Sequence, residues 1–188
     1  DRALTIDEIR QWRHLTKSNA NDPITNDLVA YYQFNESSGN LSINKMANTS
    51  HIIYNGTSGS NHNPSSVSVF DGISQKINVN SAGVKDFSTT GLSITFANGT
   101  YPDGDIWVSK GSINPDTLPD ALQDFSSYTI INNYGTNQTF TPLTSISFTD
   151  NAAYTITNAN DYNLYKRDSN AFGNTWGTIL DNADAITG

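Results

Sequence analysis

From Val67 to the end of the chain, apolar and polar residues alternate in short runs: "SVSVF", "QKINV", "GLSITFA", "DIWVS", "SYTIINNY", "TSISFT", "AYTIT" and "YNLYKR". Strands of period two that recur this way between turn residues predict an antiparallel immunoglobulin-like or jelly-roll β-sandwich. The clearest run is "GLSITF", with Leu92, Ile94 and Phe96 on one face and Ser93 and Thr95 on the other. The following "YPDGDIW" reads as a hairpin-type turn.

The first residues follow a different period. Thr5 is placed as N-cap, Glu8 three positions on closes a capping box, and Leu4 with Ile9 forms a hydrophobic staple. This predicts a helix from about Ile6 to about Lys17, with Ile6, Ile9, Trp12 and Leu15 along a side that must dock on something. Arg10, Arg13, His14 and Lys17 put positive charge toward its C-terminal end, where the macrodipole favours it. Pro23 interrupts the loop "SNANDPITND", and "LVAYYQF" then reads as a strand covered on both faces. Residues 35–66 are rich in Gly, Ser and Asn, with one short apolar patch at Ile52, Ile53 and Tyr54, and read as linker.

The chain is therefore expected to be mainly β with one short N-terminal α-helix. Residues 1–20 form the helical tail, 21–66 a junction strand and linker, and 67–188 the sandwich. Tyr31, Tyr32, Phe34 and Trp12 are expected to be buried against that sandwich, as glue between the parts. At 188 residues the chain is long enough for one sizeable core.

Composition narrows the chemistry. A net charge of −8, from 10 Lys and Arg against 18 Asp and Glu, opposes binding to nucleic acid, which needs a basic stripe. The 24 Asn and 42 Ser and Thr give a neutral hydrogen-bonding surface of the kind common in extracellular β-proteins. The absence of Cys removes disulfides, thiol nucleophiles and Cys-ligated metals. No apolar run approaches the roughly 18 residues that cross a bilayer, so no membrane insertion is expected. The six N-x-S/T sequons are about as many as this composition produces by chance and carry no information.

No catalytic constellation stands out. The two Glu, Glu8 and Glu36, both lie outside the sandwich, which leaves no Glu dyad for glycoside hydrolysis there. His14, His51 and His62 have no metal-ligand spacing, and no nucleophile elbow or phosphate-binding glycine loop is present. A non-catalytic protein is the expectation. Calcium fits better than zinc, because hard cations take Asp, Asn and backbone oxygens. Asp103 and Asp105 in "YPDGD" and Asp116 and Asp120 in "NPDTLPD" are the candidate ligands of a structural Ca²⁺, though turns and caps use the same residues. Carbohydrate binding needs exposed aromatic platforms. Trp176 in "FGNTWG" and Tyr165 are the candidates, whereas Trp107 in "DIWVS" suits a core as well as a platform.

"DRALTIDEIRQW" resembles the closing segment of LamG-like (concanavalin-type) jelly-roll domains, matching at Arg2, Ala3, Leu4, Thr5, Glu8 and Ile9. "LVAYYQFNESSGN" is similar to a segment that follows such domains in large surface proteins of Bacteroidota, through Tyr31, Tyr32, Phe34, Asn35, Glu36 and Gly39. The sandwich portion also resembles β-modules of those proteins. The resemblance implies a fragment of a secreted, multidomain, adhesin-like or polysaccharide-associated protein held at the cell surface. Its partners would be neighbouring domains of the same polypeptide and a polysaccharide or surface glycan. The body of the LamG jelly roll is missing, so no calcium or glycan residue is carried over.

Overall fold

Strict alternation in "LSITF" has the physical outcome it implies: Leu92, Ile94 and Phe96 are at most 3% exposed, while Ser93 and Thr95 face outward. The computed structural model describes residues 3–15, 29–32, 34, 39–46, 51–53, 72–111, 115, 117–119, 128–138, 143–149, 158–161, 163–168, 173–177 and 179–182. In chain order the elements are α1 (Ile6–Trp12), β1 (Leu41–Ser42), β2 (Ile52–Ile53), β3 (Gly72–Val79), β4 (Gly83–Phe87), β5 (Leu92–Phe96), β6 (Gly104–Gly111), β7 (Tyr128–Asn133), β8 (Leu143–Phe148), β9 (Asn163–Tyr165) and β10 (Ile179–Asn182). The runs "SVSVF" and "AYTIT" lie outside the described residues.

Two three-stranded antiparallel sheets, ordered β3-β6-β7 and β4-β5-β8, make the sandwich. Val79, Phe87, Leu92, Ile94, Phe96, Ile106 and Val108, drawn from both sheets, form its core, with Ile77, Tyr101 and Ile146 packed at the margin. Each fully buried side chain of this kind stabilises the fold by roughly 1.5–3 kcal/mol relative to exposure.

The "YPDG" turn is not a hairpin. β5 pairs with β4 and β8, while β6 pairs with β3 and β7, so residues 97–103 carry the chain from one sheet to the other. The crossing is held by the loop after β7: Thr136 N donates to Asp103 O at 3.1 Å and Asn137 N to Pro102 O at 2.9 Å. Only glycine fits where these loops touch. A Cβ on Gly135 would lie 2.1 Å from Pro102 O, and one on Gly104 2.5 Å from Gly135 Cα.

α1 has the expected start: Glu8 N donates to Thr5 Oγ1 at 3.2 Å and Thr5 N to Glu8 Oε2 at 2.8 Å. It ends at Trp12 rather than near Lys17, with Arg13 N still donating to Ile9 O and Leu15 N closing a tighter turn on Trp12 O. The apolar side does not dock as a stripe, since Ile6 and Ile9 are 61% and 49% exposed. Contact comes from the C-terminal end, where Trp12 and Leu15 pack on Tyr128 and Ile130. These lie on the outer face of the β3-β6-β7 sheet, which explains why β6 is buried on both faces from Ile106 to Ser109. Polar groups complete the attachment. Lys76 Nζ lies 2.6 Å from Asp7 Oδ2, Arg10 Cζ lies 4.1 Å from the Tyr134 ring centroid, and Arg13 Nη1 donates to Tyr134 Oη at 2.6 Å.

The junction segment differs from a covered strand. Tyr32 makes a single bridge to Asn44, Val29 is 79% exposed, and Phe34 is 60% exposed with a positive φ of 52°. Half-buried Tyr31 and Tyr32 pair with the 44–45 segment, where Tyr31 N donates to Asn44 Oδ1 and Lys45 N to Tyr31 O. The expected burial thus holds in part for Trp12, which is half-buried against β7, and fails for Phe34. A β-rich run becomes a strand only when a partner lies beside it.

Candidate functional site

Trp176 follows β9 and is half-buried. Its indole N–H donates to Thr117 O at 2.7 Å, and Thr117 Oγ1 in turn donates to Asn174 O at 2.8 Å, which ties the 173–177 segment to the 117–119 loop. The Arg167 guanidinium carbon lies 5.1 Å from the centre of the indole ring and 5.9 Å from that of Tyr128. Arg167 Nη1 also reaches Asn174 O at 3.4 Å. Such a cation against an aromatic contributes about 0.5–1 kcal/mol where water has access. The indole is therefore fixed at its nitrogen and approached by a cation. Tyr165 is half-buried at the end of β9, opposite Ile179 of β10. Arg167 and Thr117 carried no signal in the sequence, since their distance from Trp176 along the chain reveals nothing of their contact with it. One position from Arg167, the Lys166 ammonium lies 2.8 Å from Asp168 and holds that carboxyl below its ordinary range.

Asp103 and Asp105 sit two residues apart but face different partners. Asp103 adopts φ 52°, and its Oδ2 accepts from Thr136 Oγ1 at 3.3 Å. Asp105 Oδ1 accepts from Asn78 Nδ2 at 2.8 Å, and its Oδ2 lies 3.7 Å from Lys76 Nζ. The nearby carbonyls of Tyr101, Pro102 and Asp103 already accept from Asn137 and Thr136. A cation between the two carboxylates would compete with Lys76 and take over oxygens that these bonds now use. Asp116 and Asp120 lie outside the described residues. Among the described residues, no three His, Asp or Glu side chains come together in a way that could hold a metal ion.

Trp107, the ambiguous aromatic, is 5% exposed beneath the α1 attachment, with Lys76 Nζ 5.8 Å from its ring centre. It belongs to the fold and presents no platform. Compared with protein-family models, with curated proteins and with solved structures, the chain gives no match.

Proposed function

We propose that this chain is a non-catalytic β-sandwich module of a multidomain cell-surface protein, secreted, adhesin-like and related to LamG-containing architectures, which spaces or rigidifies neighbouring domains. The observation that carries this reading is the attachment of α1 to the outer face of the β3-β6-β7 sheet, through Asp7 to Lys76 and through Arg10 and Arg13 to Tyr134. An element fixed on one sheet of a rigid sandwich passes that orientation to whatever is joined to it. The test is ¹⁵N relaxation of a small reporter domain fused ahead of residue 1. The reporter is expected to tumble with the sandwich, and to be released when Asp7, Arg10 and Arg13 are all replaced by Ala. Independent tumbling of the reporter on the unaltered chain overturns the spacer reading.

The second reading is carbohydrate binding at Trp176, with Tyr165 at the end of β9 as the other candidate aromatic. It is favoured by the fixed indole, since a platform held at its nitrogen loses little freedom when a sugar stacks on it. Reproducible retention on a polysaccharide affinity gel, lost in Trp176→Ala, would support it, and equal retention of both proteins would count against it. A structural Ca²⁺ at Asp103 and Asp105 belongs to the same proposal. It requires a calcium-dependent rise in melting temperature that disappears when both residues are Ala.

A further inference from the structure

β6 alternates toward the core through Ile106 and Val108, and the next residue in that register is Lys110. A lysine on the inner face of a sandwich strand breaks the apolar pattern where the two sheets part. There it lines a cleft of about 320 Å³ with Gly72, Ile73, Ser88, Thr89, Gly91 and Thr149. That volume lies at the lower end of the range of small-molecule pockets, roughly 300–1,000 Å³.

Four polar side chains of this cleft, Lys110, Ser88, Thr89 and Thr149, are uncommitted among the described residues. Lys76 and Lys166 have carboxylate partners and Lys85 Nζ bonds Ser81 Oγ at 3.0 Å, whereas half-buried Lys110 makes no ion pair or side-chain hydrogen bond among the described residues. The hydroxyls of Ser88, Thr89 and Thr149 likewise make none, while the Thr90 hydroxyl is used internally on Phe87 O. Gly91 borders the ammonium and the end of β8. Gly91 adopts φ +71°, and a Cβ there would stand 3.8 Å from Lys110 Nζ and 2.9 Å from Thr149 O. A half-buried ammonium with three donors beside neutral hydroxyls suits a ligand that carries one negative charge among several hydroxyl groups.

We infer that this cleft binds the anionic group of an acidic saccharide, with Lys110 as counter-ion and Ser88, Thr89 and Thr149 on the sugar hydroxyls. The site shares no residue with the surroundings of Trp176, so it stands or falls apart from the reading given above. The test is an amide NMR titration of the full chain with oligogalacturonate, with a sulfated oligosaccharide and with a neutral oligosaccharide of similar length. Saturable shifts at Thr89, Gly91, Lys110 and Thr149 are expected with one or both acidic ligands and not with the neutral one, and the pair distinguishes carboxylate from sulfate. Lys110→Met should weaken binding by about tenfold or more, as loss of a charge-assisted hydrogen bond does. Ser88→Ala and Thr149→Val, at exposed positions, should weaken it several-fold with the rest of the spectrum unchanged. The inference is overturned if no acidic ligand shifts these amides, if Lys110→Met binds as the unaltered chain does, or if Ca²⁺ shifts them in both proteins.

Discussion

Trp107→Phe should cost little or stabilise the fold, although Trp107 is 5% exposed in the middle of the central strand of its sheet. The reason is that its indole N–H is buried with no hydrogen-bond partner among the described residues. Removing the pyrrole part of the ring leaves a cavity of roughly 40 Å³, which at about 24 cal/mol per Å³ costs about 1 kcal/mol. Removing a buried donor that has no acceptor recovers about 1–3 kcal/mol of desolvation. Lys76, 5.8 Å from the ring centre, keeps a phenyl face in place of an indole face, a change of no more than about 0.5 kcal/mol. The sum predicts anything from a loss of about 0.5 kcal/mol to a gain of about 2 kcal/mol, whereas Trp107→Ala should lose about 3–5 kcal/mol. Urea unfolding followed by far-ultraviolet circular dichroism measures both, provided that the slope against urea is unchanged. A loss above about 2 kcal/mol in Trp107→Phe would refute the reasoning, because it would mean that the N–H has a strong acceptor.

Three further outcomes follow from the packing. Ile94→Ala, in the core, should cost about 2–5 kcal/mol, while Val84→Ala, 65% exposed on the neighbouring strand, should cost less than about 0.5 kcal/mol; equal costs would place the core elsewhere. Gly135→Ala drives a methyl to within 2.1 Å of Pro102 O and should separate the loops, which amide exchange would report as lost protection at Thr136 and Asn137; unchanged protection would contradict the close approach. The hydrogen bond to Asp7, with Asp105 nearby, raises the Lys76 pKa above its ordinary 10.5. A raised folded pKa makes this contribution complete below 10.5 and lost as pH climbs through the higher folded value. At a half-exposed pair it amounts to at most about 1 kcal/mol, so Lys76→Met should abolish only that alkaline part of the pH profile.

The parts of the fold legible in the sequence are those decided by neighbours along the chain. The Thr5 and Glu8 box is such a case, and so is the alternation from Leu92 to Phe96, because three or two residues set the geometry. What was not legible depends on distant partners. "YPDG" has turn chemistry in either arrangement, and only the pairing of β6 with β3 decides that the turn leads to the other sheet. Ile6 and Ile9 have the period of a docking stripe, yet aromatic and charged contacts to Tyr134 and Lys76 orient the helix differently. Among the candidate site residues, the pattern marked Trp176 and Asp105 as chemically able, but Arg167, Thr117 and Lys76 reach them only through the fold. Lys110 could have been noticed as the charged residue that continues an apolar register.

α1 spans seven residues, fewer than the roughly 12 that a helix needs to persist alone in water. Its anchoring bonds join residues 69 and 121 positions apart. The helix should therefore be among the last elements to form, because its docking surface exists only once β3, β6 and β7 have paired. During synthesis this segment emerges before the sheet that holds it, so Trp12 and Leu15 stay open to a chaperone or protease until that sheet is complete. In the finished protein the same dependence runs in reverse, and the backbone amides of Ile9 to Arg13 should exchange with solvent well before any in β5 or β6.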